Sequence, residues 1–451
     1  MKIFLGEEKK EEKVAPSRRG YLKTVGAGIV GLAVGAAIGY RAAPKAAPGA
    51  VTTITKTETI TKTAPAGKKT ITIGALVCTS GSAAAFGEEE KNAFEVALDH
   101  VNRELEEAGS SIRFEIISAD TGTTAEGALK ALTSLVETRG IKAIVGPGNS
   151  IEVGGIKAYC DANKIVSVAM SSSEEYSVKD YIFRPFVTNK LTAKPIAKLM
   201  WSEGKRKVAC IYRDDSFGRS LNDYTKREFE KLGGVWKEIK YMIDLPDYSS
   251  EVAALSAAVK ELGADEETAV FHVTFETDGL NIYGHAATDP VLSKVKWYGT
   301  TDSKRDAFLP PAAPIAIGDF LVKVDSTGLF PVNPLSKINR EFAEAYKAKT
   351  GKSPSGWATY FYDDVWILCL SLLETEGKFG EILWKTIPKV AERYTGASGP
   401  TPLDENGDLA KSDFGVWHVT KVNNTYKFEY IKYYSATTGE FGPWVPEAFM
   451  G

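Results

Sequence analysis

Cysteine and histidine are scarce, four of each in 451 residues. Cys78, Cys160, Cys210 and Cys369 lie far apart, so no CxxC-type metal or redox motif exists. Histidines 100, 272, 285 and 418 have no metal-ligand spacing. These absences leave no expected metal or cofactor. A Cys78–Cys160 disulfide stays open for an exported chain. Lysine is missing from Gly146-Pro147-Gly148-Asn149-Ser150, which excludes a phosphate loop of the Walker type. Excess positive charge is also lacking. Residues 1–67 hold 11 Lys/Arg and 5 Asp/Glu, which leaves the body with 44 basic and 53 acidic groups. An acidic body argues against nucleic acid as the partner.

Long apolar runs are missing too. The uncharged stretch Thr24–Tyr40 has 17 residues, the short limit for a membrane span. It follows Ser17-Arg18-Arg19-Gly20-Tyr21-Leu22-Lys23 and precedes Arg41. A basic start, a modest Gly/Ala-rich apolar segment and a small-residue exit make an export signal, and the arginine pair resembles the twin-arginine motif. Gly26, Gly28 and Gly31 spell GxGxxG, but no strand precedes them, so the dinucleotide reading fails. Residues 1–43 are thus read as a signal, with an uncleaved anchor and membrane tether left open. Residues 44–69 are a linker. Its tract VTTITKTETITKT has seven threonines in the twelve residues Thr52 to Thr63 and almost no apolar face, which suits a solvated stalk.

From Thr70 the chain alternates short apolar strands with amphipathic helices. TITIGALV precedes a helix over 87–107, in which Ala93, Phe94, Ala97, Leu98, Val101 and Leu105 share a face. Strands follow at 113–120, 141–146 and 164–170, separated by helices 125–138 and 151–162. A second series has strands 207–212, 235–242, 268–275 and 295–299 with helices between them. Helices over 335–350 and 358–374 and paired strands at 414–419 and 426–434 end the chain. This pattern predicts an α/β protein with two doubly wound parallel-sheet lobes.

In open parallel sheets, ligands bind beyond the carboxyl ends of the strands. The first lobe presents Asn149-Ser150 and Ser171-Ser172-Ser173 there, hydroxyls and helix-start amides suited to a carboxylate. The second presents Glu276 and Asp302, acceptors suited to an ammonium. Phe86 and Phe217 flank an apolar part. Ser and Asp at helix starts, each taken alone, are also ordinary N-caps. Their coincidence at opposing strand ends is the argument for a site. Two smaller motifs read as structure: Asp404-Glu405-Asn406-Gly407-Asp408 as a turn rather than a calcium loop, and Cys78 as no nucleophile, because no local signature supports one.

The stretches IGALVCTSGSAAAFGEEEKNAFEVALDHVN, AIVGPGNSIEVGGIKAYC, YIFRPFVTN, VACIYRDDSFGRSL, FETDG/WYGTTD and LDENGDLAKSDFGVWHV occur in an order that resembles a known family. Residues 70–435 are similar to the leucine/isoleucine/valine-binding proteins, the branched-chain amino-acid class of ABC-transporter substrate-binding proteins. The resemblance implies a type I periplasmic-binding fold with two lobes joined by a three-crossover hinge. Lobe 1 would comprise 70–190 and 325–397, and lobe 2 would comprise 191–324 and 398–451, with crossings near 188–193, 322–327 and 395–402. It implies a non-catalytic receptor for an amino acid or related small amide or carboxylate, exported and read by a membrane permease. A sensory ectodomain using the same cleft is the alternative. By motif position, Ser150, Ser172 and Ser173 would hold the ligand carboxylate. Phe217 would stand beside the ligand, and either Asp302 or Glu276 would meet the ammonium.

Overall fold

The computed structural model describes residues 69–445 and 449–450. The expected export signal and nearly all of the expected linker lie outside the described residues. Contacts divide the chain into a large unit, Thr72–Leu98 with Ile116–Gly451, and a small one that includes Asp99–Glu115. Within the small unit Asn102 clasps Phe114, its amide accepting from the Phe114 N–H (2.8 Å) and donating to the Phe114 carbonyl (2.9 Å). His100 is buried there.

The described strands form two large sheets and a two-stranded pair, Asn333–Pro334 with Phe449–Met450. In the first, the strands run in the order Ile112–Asp120, Lys69–Val77, Ala143–Val145, Val166–Val168, Ile182–Phe183. The last four pair in parallel. Three strands are only two or three residues long, and they are buried on both faces. Short runs such as AIV and VSV therefore lack the period-2 alternation of a half-exposed strand. Behind this sheet packs helix Gly356–Glu374, buried from Trp357 through Leu373. A helix that is apolar on every side belongs in an interior. Its Asp363 is satisfied by Tyr394, Ala397 and Ser398, which together donate four hydrogen bonds.

The second sheet begins with parallel strands Val235–Tyr241, Lys207–Arg213, Thr268–Val273, Lys296–Gly299 and Thr327–Pro331. Antiparallel strands Phe414–Val422, Thr425–Ser435 and Glu440–Pro443 extend it. The hairpin between the first two of these turns on Asn423 and Asn424, both at positive φ (50° and 63°). Asparagine tolerates that region best among residues with a side chain, and a two-residue turn needs it twice.

Two lobe boundaries differ from the sequence expectation. Strand Thr327–Pro331 pairs on both edges within the second sheet, so the crossing expected at 322–327 falls after Pro331. The segment Asp404–Leu409, assigned to lobe 2, sits against the first sheet instead. Arg184 donates its N–H to the Gly407 carbonyl (2.7 Å), accepts from the Leu409 N–H (2.9 Å) and pairs with Asp408. Arg184 is only 1 % exposed, and a buried guanidinium needs that carboxylate beside it. The final crossing therefore lies between Leu409 and Phe414. Asp404 accepts from the N–H groups of Asn406 and Asp408, so this segment is a hydrogen-bonded turn.

All four cysteines are free and buried, so Cys78 and Cys160 are not paired. Among the described residues no helix is long and apolar enough to cross a membrane. No group of three or more metal-ligating side chains occurs among them either.

Candidate functional site

A cleft of about 950 Å³, counting its open mouth, lies beyond the carboxyl ends of both sheets. Its first wall is built from the loops that follow Val145 and Val168. Gly146 makes the turn possible. Its φ is +74°, and a Cβ there would meet the Leu76 carbonyl oxygen at 2.3 Å. Helix Ser150–Asn163 then starts at the cleft, with Asn149 as its cap. The Ser150 hydroxyl accepts from the Ser171 hydroxyl (2.9 Å) and from the Ser173 N–H (3.3 Å). Ser172 lines the cleft, and its hydroxyl has no partner among the described residues.

Beneath this wall lie two buried carboxyls. A Cβ on Gly148 would approach Glu90 Oε1 to 3.0 Å, so any larger residue would make the carboxyl give way by a few tenths of an ångström. Glu90 Oε1 has no hydrogen-bond partner there. Burial, reinforced by the neighbouring Glu152, pushes the Glu90 carboxyl well above the usual range. Burial likewise raises Glu152 to about 7, against the hydrogen bond from Thr121. Cys78 is completely buried, 3.9 Å from Glu90 Oε2, and burial and this carboxyl push its thiol up. That environment opposes thiolate formation, the reverse of what a nucleophile requires.

The second wall is charged, and its charges are mutually engaged. Asp215 caps helix Ser216–Lys231, accepting from the Gly218 N–H (2.8 Å), and also accepts from Arg213 Nε (2.5 Å). Arg213 reaches Asp278 as well (3.4 Å) and lies 3.7 Å over the Phe275 ring. Phe275 stacks on Phe217. Asp278 also accepts from the Tyr241 hydroxyl and the Phe275 N–H. Burial raises its carboxyl, and Arg213 opposes the rise.

Asp302 accepts on one oxygen from the Thr300 hydroxyl (2.6 Å) and on the other from the Thr274 N–H (2.9 Å) and Ser303 hydroxyl (3.2 Å). Arg305 donates from Nε to the Asp302 carbonyl (3.0 Å) and from one terminal nitrogen to Glu276 (3.4 Å). Its guanidinium is 5.3–5.6 Å from the ring centres of Phe86, Phe275 and Trp357.

Of the residues expected at the site, Phe86, Asn149, Ser150, Ser172, Phe217, Glu276 and Asp302 line this cleft. Ser173 does not. It is fully buried, and its hydroxyl donates to the Ser216 carbonyl (2.9 Å), tying the first wall to the second. Ser171 takes its place in the lining. Asn149 faces its own helix, accepting from the Glu152 N–H and donating to the Glu152 carboxylate. Sequence reasoning passed over Arg213, Arg305, Phe275 and Trp357. Arg213 and Arg305 stand at strand ends that were inspected, three residues or fewer from Asp215 and Asp302. Trp357 opens a buried helix and carries no local signal.

A profile of the family described as periplasmic binding protein matches residues 70–382. An uncharacterized protein of Methanocaldococcus jannaschii is 27 % identical over 409 residues, 85 % of this chain and 94 % of that one. The Leu/Ile/Val-binding protein homolog 8 of Brucella abortus is 26 % identical over 296 residues, 63 % of this chain and 71 % of that one. Two solved structures share the fold at lower identity. One is the branched-chain amino acid transporter substrate-binding protein of Streptococcus pneumoniae in complex with isoleucine. Its identity is 19 %, it covers 80 % of this chain and 99 % of its own, and its TM-score is 0.66. The other is an ABC-transporter solute-binding protein of Rhodopseudomonas palustris in complex with p-hydroxybenzoic acid. Its identity is 18 %, its coverage 82 % and 98 %, and its TM-score 0.68. The architecture is the type I periplasmic-binding fold, and the chain belongs to the periplasmic binding protein family.

Proposed function

We propose that this protein is an exported solute receptor of an ABC importer, and that it binds a small carboxylate-bearing molecule in the cleft between its sheets. The observation that carries this reading is the unpartnered Ser172 hydroxyl beside the Ser150–Ser171 pair and a helix start, facing an arginine-bearing wall across a cleft of ligand size. The twin-arginine-like N-terminus supports export. The relatives support the importer role, since several are ABC-transporter binding proteins. The receptor performs no chemistry on its solute. Ligand favours the conformation it binds best, and a permease reads that conformation.

The test is a thermal-shift screen of the full chain against amino acids, aromatic acids, short amides, urea, sugars and oligopeptides. A ligand at about 100 times its Kd should add about 2.7 kcal/mol of stability. Stabilisation by at least one carboxylate is expected. Stabilisation only by sugars or urea would overturn the carboxylate reading. Loss of cellular uptake of the identified solute on deletion of the protein checks the importer role.

A further inference from the structure

Resting on that receptor reading, we propose that Arg305 is the charge anchor of the cleft and that the solute is an aromatic carboxylate without an ammonium group. The acceptors that an ammonium would need are engaged, exposed or set beside a cation. Both oxygens of Asp302 hold hydrogen bonds from Thr274, Thr300 and Ser303. Asp215 holds Arg213 and its own helix start, and Glu276 faces Arg305. The remaining carboxylate of the lining, Asp244, is exposed. An amino acid would have to place its ammonium beside the Arg305 cation at Glu276 or at the exposed Asp244, which opposes binding.

An anion meets the opposite situation. The Arg305 side chain is 13 % exposed, and its two named hydrogen bonds leave the second terminal nitrogen without a protein partner among the described residues. A guanidinium edge of this kind matches the two oxygens of a carboxylate. The contact to Glu276 is long, at 3.4 Å, so a ligand carboxylate can compete for it. Phe86, Phe275 and Trp357 lie around the guanidinium and leave it little exposed, which strengthens that attraction.

The body of the ligand is read from the same rings. Phe86, Phe186, Phe217, Phe275 and Trp357 all line the cleft, and flat faces of this kind favour a flat partner. Ser172 supplies a hydroxyl from the other wall.

The test is calorimetric titration of the full chain, stripped of carried ligand by unfolding and refolding, with benzoate, benzamide, L-phenylalanine and L-leucine. Benzoate should bind about 10-fold or more tightly than L-phenylalanine, which has the ring and the carboxylate but adds the ammonium. Benzamide, which keeps the ring and lacks the charge, should bind about 10-fold or more weakly than benzoate. Arg305→Gln should weaken benzoate about 100-fold, and Arg305→Lys should recover part of that loss.

Tighter binding of either amino acid, or equal benzoate affinity in Arg305→Gln, overturns this inference and leaves the receptor reading intact. Failure of all four probes overturns it too, and the wider screen above then judges the receptor reading separately. If Arg305→Gln does not fold, the ranking of the four probes on the unaltered protein decides.

Discussion

The two walls of the cleft solve one problem in opposite ways. The first is neutral: hydroxyls, a helix start and, beneath them, carboxyls that burial holds above the usual carboxylate range. The second is charged, but Arg213, Asp215, Asp278, Glu276, Asp302 and Arg305 are bound chiefly to one another and to nearby backbone. The neutral wall binds most of its hydroxyls locally too, Ser171 to Ser150 and Ser173 to Ser216, but leaves the Ser172 hydroxyl over. A charged wall must satisfy itself when it is buried, and only what remains over can serve a ligand. Charge counted along a sequence therefore overstates what a cleft offers.

The comparison breaks most visibly at Arg213. Arg213→Ala leaves Asp215 and Asp278 buried without their cation, and should remove about 3–5 kcal/mol of stability in urea unfolding. A loss below about 1 kcal/mol would mean that the charged wall is not a network.

Next is the neutral wall's dependence on protons. Glu152 has a folded value of about 7 against an ordinary 4.5, so the folded state holds its proton more tightly than the unfolded state does. Its stabilising contribution is full below pH 4.5, is lost as pH rises through about 7, and changes no further above that. The span corresponds to about 3 kcal/mol. Glu152→Gln should flatten the stability profile across this window, as read by chemical unfolding at a series of pH values.

Asp302 sharpens the contrast between holding a wall and holding a ligand. Asp302→Asn should lower stability by about 1–3 kcal/mol, because a buried acceptor becomes a donor facing the Thr274 N–H. Ligand affinity should change far less than stability. A collapse of affinity without a change in melting temperature would return Asp302 to the role of ammonium acceptor.

The smallest effect belongs to Ser172. Ser172→Ala should weaken carboxylate binding by about 1 kcal/mol with no change in melting temperature. Ser173→Ala should do the reverse, lowering stability through its lost bond to Ser216.

Much of this architecture was legible along the chain. TITIGALV and KVACIY are long enough to show burial, and the helices between them show their faces. Strand Thr327–Pro331 was hidden, because TGLFP is five residues ending in proline and its identity comes from neighbours on both edges. The Asp404–Leu409 segment read as lobe 2 because nothing local reveals that buried Arg184 requires Asp408. At the cleft, strand ends pointed to the right loops. They could not say which side chain turns inward. Ser173 and Ser172 are adjacent in sequence and alike in chemistry, and only the ring of contacts around Ser150 and Ser216 separates them.

Trp357 has one more consequence. Its indole stacks on Phe186, meets Phe86 edge-on and also touches Phe330, a residue of the second sheet. A tryptophan lodged between a ligand cavity and the strand beyond it is a built-in optical probe. Any solute that packs against the indole, or any hinge motion that slides Phe330 away, should alter its fluorescence. With Trp357→Phe as the blank, the protein can report its own occupancy in real time without a label.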